Sequence, residues 1–155
     1  MSHEFTDKER QTIEVLSEQR IPIRLAVVRS NGVPLIASLW FLWHGDRIWC
    51  AMHESAALAK ILHRNQDCGF ELSPNAPPYF GIRGGARAHL HRNLGEETLV
   101  NLIDHYLPSR RNSLAEWLLS RADGELAVEL EVTSTFSWDY RSRMASALNS
   151  SSAER

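Results

Sequence analysis

Hydrophobic and polar residues alternate most clearly in two segments of the second half of the chain. In Glu125–Phe136, four aliphatic residues at every second position face away from three glutamates. Tyr79–His91 alternates in the same way, with small or aliphatic residues on one face and arginine and histidine on the other. Both segments are predicted to be strands, and the small residues of the second suggest that something flat can approach its backbone closely.

Four further segments have the β-branched and aromatic content that is typical of strands. They are Ile21–Arg29, Val33–Trp43, Arg47–Met52 and Asp67–Leu72. The dipeptide Asn31-Gly32 is a strong turn signal, so the first two of these segments are predicted to form a hairpin. A second turn at His44-Gly45-Asp46 leads into the third segment.

Apolar residues at helical spacing, or a high content of Ala and Leu, predict four short helices. They cover Asp7–Gln19, Ser55–His63, Leu94–Tyr106 and Ser113–Ser120, and Thr6 or Asp7 can cap the first. Six antiparallel-type strands with short helices between them favour a closed or partly closed barrel over a parallel sheet. The fold class is therefore mainly β with flanking helices.

Composition places limits on the class of protein. The 155 residues, 43% of them hydrophobic and 23% charged, are typical of one globular domain. We assign it to residues 1–145 and expect the polar segment 146–155 to be a disordered tail. The formal net charge of -2 argues against a nucleic-acid partner, because phosphate binding requires a basic surface.

The sequence also indicates where the protein works. Met1–Arg10 is polar and charged, which predicts no signal peptide, and no apolar run approaches the ~20 residues that span a bilayer. Cys50 and Cys68 lack a metal-ligand or CxxC spacing, so we expect free thiols and a cytoplasmic protein with no membrane partner. The seven histidines form no HExxH pattern, and no metal site is predicted.

The segment Gly32–Arg64 carries the clearest candidate chemistry. It combines an aromatic-lined hairpin with a helix that begins close to Ser55 and carries Lys60. A flat apolar wall beside a helix N-terminus suits a phosphorylated planar cofactor, and a flavin is the leading hypothesis. The chain has no GxSxG or GxGxxG motif, so catalytic side chains remain unassigned.

Five stretches together resemble the FMN-binding split-barrel family related to pyridoxamine phosphate oxidase. They are GVPLIASLWFLWHGDRIWCA from Gly32, PPYFGIRGGARAHL from Pro77, HYLP ending at Pro108, SLAEWLLSRAD from Ser113 and SWDYRSRM from Ser137. The resemblance extends from about Thr6 to Met144 and lies in the order and spacing of the stretches. It implies a six-stranded antiparallel split β-barrel and an FMN-binding oxidoreductase acting on an unidentified small molecule. It further implies a homodimer with two FMN sites at its interface.

The resemblance also implies cofactor-binding positions. In such proteins the isoalloxazine ring rests on the backbone of the strand that matches Ser38, Leu39, Trp40 and Phe41. The phosphate is typically held at the strand end and helix start that match His53, Ser55 and Lys60. Relatives commonly place the helix lysine at the position of Leu58, so Arg83 or Arg87 is an alternative cation. Trp138 is expected to cover the ring of the opposite subunit, and Arg141 to assist the phosphate.

Similar proteins with the same barrel bind other ligands, and the sequence does not choose between those ligands and FMN. Some similar proteins are deazaflavin-dependent reductases, some bind haem, and some are non-catalytic flavin-binding modules. The chain lacks the longer arginine-bearing C-terminal motif of the true oxidases. We therefore do not expect it to oxidise pyridoxamine phosphate, and its substrate is unassigned.

Overall fold

Seven antiparallel strands form one curled sheet in the computed structural model, which describes residues 1–153 and omits side-chain detail for 148 and 150–153. The strands are β1 Ile23–Val28, β2 Pro34–Leu39, β3 Leu42–His44, β4 Arg47–His53, β5 Asp67–Leu72, β6 Phe80–His91 and β7 Glu125–Asp139. Their order across the sheet is β2-β1-β5-β6-β7-β4-β3. The fold is thus mainly β and antiparallel, as predicted.

The two edges of this sheet are consecutive parts of one predicted strand. The segment Val33–Trp43 is interrupted at Trp40 and Phe41, which gives β2 at one edge and β3 at the other. Two residues bridge at most about 11 Å, so the edges must meet at this corner. The sheet therefore curls into a split barrel, with seven strands in place of the six predicted.

Two tight turns set the registers at these edges. Gly32, with φ 84°, lies in the turn of the β1–β2 hairpin. The Asn31 side chain in the same turn accepts a hydrogen bond of 3.0 Å from the Val33 N–H. Between β3 and β4, Gly45 and Asp46 have φ of 59° and 58°, which is the backbone of a type I′ turn. Both predicted turns are confirmed.

Five helices flank the sheet: α1 Asp7–Glu18, α2 Ala57–Arg64, α3 Gly95–Tyr106, α4 Ser113–Ser120 and α5 Arg141–Ala153. Thr6 and Glu9 form a capping box at the start of α1, as the sequence suggested. Helix α5 runs through most of the segment 146–155, for which the sequence predicts disorder, and 154–155 lie outside the described residues. A polar helix without an apolar stripe has little tertiary support, so disorder of the tail stays a prediction.

The barrel interior is the main hydrophobic core. The alternate residues of β7 predicted to face inward, from Leu126 to Val132, are at most 2% exposed. Ala86 and Ala88 of β6 are buried in the same core. The interpretation that the small face of β6 receives a flat ligand is therefore wrong, because these residues are small to fit inside the barrel. Cys50 and Cys68 are free thiols, as predicted.

A second, smaller core lies outside the barrel. Helices α3 and α4 pack over the outer face of β4, and their buried residues contact Trp40 and Ala51. The turn Ala122–Gly124 then leads into β7. The gap between this second layer and the sheet is the region of functional interest. Within residues 1–153, no helix is long and apolar enough to cross a membrane.

Tyr106, the last residue of α3, fastens the corner of the barrel. Its hydroxyl accepts a hydrogen bond of 3.1 Å from the Phe41 N–H. The same hydroxyl lies 3.1 Å from the Ile21 carbonyl oxygen and 3.3 Å from the Phe41 carbonyl oxygen. Its single proton is shared between these two acceptors. Burial raises the pKa of Tyr106 to about 12, so the hydroxyl keeps this proton at neutral pH.

The variant Tyr106→Phe is expected to lower the free energy of unfolding by about 1–3 kcal/mol, because the buried Phe41 N–H loses its acceptor. Urea denaturation measures the change. The exposed hydroxyl of Tyr140 makes no hydrogen bond within the described residues, so Tyr140→Phe is the control and should differ little. Equal stability of the two variants would contradict the role given to Tyr106.

Candidate functional site

A cavity of about 340 Å³ lies between the outer face of the sheet and helices α3 and α4. This volume lies within the range of about 300–1,000 Å³ that is usual for small-molecule sites. The lining residues are mostly apolar, with a polar group at one end. They are Ser38, Leu39, Trp40, Ala51, Met52, His53, Leu99, Leu102, Leu114, Leu118, Arg121 and Glu125.

The first wall contains three of the four strand residues implied by the resemblance. Ser38, Leu39 and Trp40 line the cavity, whereas Phe41 is fully buried in the barrel core. Trp40 stacks on Tyr106, with ring centroids 5.1 Å apart and an angle of 8° between the planes. Because β2 is an edge strand, alternate backbone N–H and C=O groups on its free side are open to a ligand.

The opposite end of the wall is formed by His53, the last residue of β4. Its Nδ1 accepts from the Ser55 N–H at 3.2 Å and lies 2.7 Å from the Ser55 Oγ. An accepting Nδ1 places the proton of the neutral imidazole on Nε2. The ring packs on Gly124, where an added Cβ would lie 2.3 Å from His53 Nε2. A side chain at residue 124 would therefore force the imidazole out of this position.

Glu125 pairs with His53 across β4 and β7 and faces the same cavity. The residue is only 6% exposed, and within the described residues its carboxyl group has no hydrogen bond or ion pair. Burial raises the pKa of Glu125, and the nearby charge of Arg121 opposes that rise. Arg121, in the same wall, lies over the Trp117 ring at 4.7 Å. The polar end therefore joins a carboxyl, a guanidinium and an imidazole.

Lys60 does not line this cavity. It lies on the exposed side of α2, whose Leu58 and Leu62 pack into the main core. The helix begins at Ala57 after Ala56, which provides no side-chain cap. Ser55 is hydrogen-bonded to His53, and Lys60 does not line the cavity. The two predicted phosphate-binding residues are therefore not brought together around this cavity.

The remaining predicted residues lie on β6, on β7 and at the start of α5, and none of them lines this cavity. Arg83 lies over the rings of Phe136 at 4.6 Å and Trp138 at 5.7 Å. Arg141 lies over the Phe80 ring and forms an ion pair of 2.8 Å with Asp139. Arg87 is exposed on the same strand face as Arg83. Of the predicted residues in this group, Trp138 and Arg141 line a different, smaller pocket, and Arg83 and Arg87 do not.

The strand registers give the separation of the two groups. Ser38 is opposite Arg24, Arg24 is opposite Glu71, and Glu71 is opposite Arg83. Three strand spacings of ~4.8 Å place Ser38 and Arg83 roughly 14 Å apart on the outer face. The structure therefore brings together Ser38, Leu39, Trp40 and His53, and leaves Arg83, Arg87, Trp138 and Arg141 apart from them.

A larger cavity of about 510 Å³ lies beside the first one, between β3, β4 and the start of α3. Trp43, Trp49 and Leu94 are among its lining residues. None of the predicted site residues lines it within the described part of the chain, and the carboxyl group in its lining, that of Glu97, belongs to an exposed residue. Size alone does not define a binding site, so we assign the candidate site to the smaller cavity.

Sequence reasoning missed two of the residues at the polar end. Alternation predicts that Glu125 faces outward like Glu129 and Glu131, and it does. The sequence did not show that α3 and α4 cover the outer face of β7 at its first residue, Glu125. Arg121 follows the predicted helix Ser113–Ser120 and had no partner in the linear pattern. The one available signal was Gly124 between Arg121 and Glu125, a small residue directly before a strand.

Solved structures share this fold over most of their length. A conserved hypothetical protein from Mycobacterium tuberculosis gives a TM-score of 0.70 at 17% identity, over 89% of this chain and 87% of that chain. An F420 reductase gives 0.62 at 17% identity, over 79% and 94%. A Clostridium acetobutylicum protein of the pyridoxinephosphate oxidase family, related to general stress protein 26, gives 0.64 at 13% identity, over 88% and 92%.

These likenesses establish the class of fold. The chain is a split barrel of the pyridoxamine phosphate oxidase type, so the resemblance stated from the sequence is confirmed for the fold. No protein-family model matches the sequence, and no curated protein matches it. The choice of ligand therefore depends on the site residues of this chain.

The contact of His53 with Gly124 can be tested by stability. Gly124→Ala is expected to destabilise the protein by about 1–3 kcal/mol, because the new methyl group collides with the imidazole. In a His53→Ala background the same substitution should cost much less. Urea denaturation of the four variants of this cycle measures the coupling.

Gly69→Ala is the matched control, since a Cβ there meets nothing closer than 3.7 Å. An equal cost of Gly124→Ala with and without the imidazole would show that the collision is not with His53.

Proposed function

We propose that the protein binds a flavin, FMN in the first place, and acts as an oxidoreductase on a small molecule. The observation that carries this proposal is the cavity itself. It has apolar walls, an open strand edge at Ser38 and Leu39, and one polar end. A planar ring with a polar rim needs this combination, because its faces require apolar contact and its edge requires hydrogen bonds.

The cavity residues fit the ring system of such a cofactor. Leu99, Leu102 and Leu118 form an apolar surface opposite Trp40, and an aromatic ring gains stabilisation from stacking and from loss of water contact. The backbone of β2 provides hydrogen-bonding groups that do not depend on side-chain identity. This explains why the segment from Ser38 carries no recognisable motif.

The phosphate requires a cation, and the predicted ones lie outside the cavity of this chain. Arg83 lies roughly 14 Å from Ser38 by strand spacing, and Arg83, Arg87 and Arg141 do not line the cavity. We infer that a second copy brings this surface to the cavity, as the homodimer implied by the resemblance would. Trp138, beside Arg83, would then approach the ring from the partner.

The protein's contribution to the reaction is binding, orientation and exclusion of water. The bound flavin supplies hydride or electron transfer, so no nucleophilic side chain is required. The thiols are unsuited to such a role, since burial raises the pKa of Cys50 and Cys68, that of Cys68 to about 12. Glu125 lines the cavity and burial raises the pKa of its carboxyl group, so it is the candidate to hold or give up a proton beside a bound molecule.

A deazaflavin-dependent reductase is the second candidate. It is supported by the F420 reductase that shares the fold over 79% of this chain. A deazaflavin offers the same planar ring with a polar rim, so the same cavity would receive it. Haem is less well supported at His53, because the Nε2 atom, which would bind iron while Nδ1 keeps its hydrogen bond, packs against Gly124.

The absorbance spectrum of the purified protein, followed by titration with FMN, tests the proposal. We expect flavin bands near those of the free cofactor, or saturable binding of added FMN with quenching of its fluorescence. A Soret band would assign the protein to the haem-binding members of the fold. A colourless protein that binds neither FMN nor a deazaflavin would refute a flavin-based function.

The cations are tested by single substitutions. If Arg83 or Arg87 contacts the phosphate, its replacement by Ala should weaken FMN binding by about 1.5–3 kcal/mol and leave riboflavin binding almost unchanged. Lys60→Ala is the comparison, because Lys60 lies on α2, away from both groups. Unchanged FMN affinity in all three variants would contradict the phosphate assignment.

A further inference from the structure

The buried carboxyl group of Glu125 is unusual for this protein. The other two outward-facing carboxylates of β7 lie near basic groups: Glu131 is 3.0 Å from Arg47, and Glu129 is 4.0 Å from Arg47 and 3.7 Å from His91. Glu125 is more buried than either and has no such partner within the described residues. Its carboxyl oxygens face the cavity and are not among the buried side-chain atoms that lack a partner, so solvent reaches them. A molecule that fills the cavity would have to replace that solvent as their hydrogen-bond partner.

Arg121 limits which hydrogen-bonding groups a molecule at this end of the cavity can carry. Its guanidinium only donates hydrogen bonds, whereas a carboxyl oxygen of Glu125 accepts one in either protonation state. A ring that carries a carbonyl beside an N–H presents the complementary pair of groups. The pyrimidinedione edge of a flavin, with an N–H between two carbonyls, is such a group.

A phosphate fits the same end of the cavity less well. A phosphate dianion beside the Glu125 carboxyl would meet repulsion from the ionised acid, in a place where burial strengthens the interaction. The Ser55 amide and hydroxyl, which could donate to a phosphate, are both bonded to His53 instead. The polar end therefore has one cation, one acid and no free serine.

We propose that Glu125 and Arg121 bind the carbonyl and N–H edge of the cofactor ring, so that the His53 end of the cavity holds the ring edge and not the phosphate. This inference rests on the proposed flavin function and specifies how the ring is oriented. It differs from the arrangement implied by the resemblance, which puts the phosphate at His53 and Ser55. The phosphate then extends away from Glu125, out of the cavity.

The experiment compares three probes by fluorescence titration: FMN, lumiflavin and 3-methyl-lumiflavin. Lumiflavin has the ring without the phosphate, and the 3-methyl compound replaces the ring N–H by N–CH₃. We expect Glu125→Ala to weaken FMN and lumiflavin binding by about tenfold or more, the usual effect of losing one hydrogen bond to a charged group. The 3-methyl compound should bind weakly to the wild type and be insensitive to Glu125→Ala.

Glu116→Ala is the matched control, because it removes the same charge from the exposed side of α4. It should leave all three affinities unchanged. If Glu125→Ala does not fold, the comparison of lumiflavin with its 3-methyl derivative on the wild type still decides the matter, since equal affinities would exclude an N–H contact.

Two results would overturn the inference alone. One is tighter FMN binding by Glu125→Ala with lumiflavin unaffected, which would put the phosphate beside the carboxyl. The other is an equal effect of the substitution on lumiflavin and its 3-methyl derivative. Failure of the wild type to bind FMN or lumiflavin at all would instead refute the proposed function, and this inference with it.

Discussion

The hydrogen bonds of Tyr106 to the barrel corner are the contacts on which the rest of the arrangement depends. The strand that forms both sheet edges has to break at Trp40 and Phe41, and a break exposes backbone groups that no strand can pair. The Tyr106 hydroxyl pairs with the Phe41 N–H and shares its proton between the Ile21 and Phe41 carbonyls. Its ring also stacks on Trp40, so the contact that closes the barrel also shapes the cavity.

Three carboxylates on one face of β7 show how position controls chemistry. Hydrogen bonds from Ser2 and Arg47 hold the pKa of Glu131 down at about 2, which is the behaviour of a structural ion pair. The pKa of Glu125 is shifted upward by burial beneath α3 and α4. The strand alternation is identical for both residues, and only the second layer of helices distinguishes them. A group kept unpaired and buried at a cavity is a functional candidate for this reason.

The sequence predicted the elements well, because alternation, turn residues and helix caps are local signals. It did not predict the break at Phe41, since Val33–Trp43 reads as one strand and the reason for its interruption is 65 residues away at Tyr106. Trp40 lines the cavity and Phe41 is buried in the core, as the predicted alternation of neighbouring aromatic residues implied, and contact of Trp40 with a ligand stays a prediction. Arg121 and Glu125 were missed because their meeting depends on how α3 and α4 pack over β4, which no local pattern records.

The most direct test of the central claim, that the cavity beside Trp40 receives a planar ring, is a methyl NMR titration of leucine-labelled protein with lumiflavin. Ring currents should shift the methyl signals of Leu99, Leu102 and Leu118, which line this cavity. Leu42 and Leu94 line the larger neighbouring cavity and should change little. Shifts confined to Leu42 and Leu94, with the first three leucines unchanged at saturation, would contradict the account.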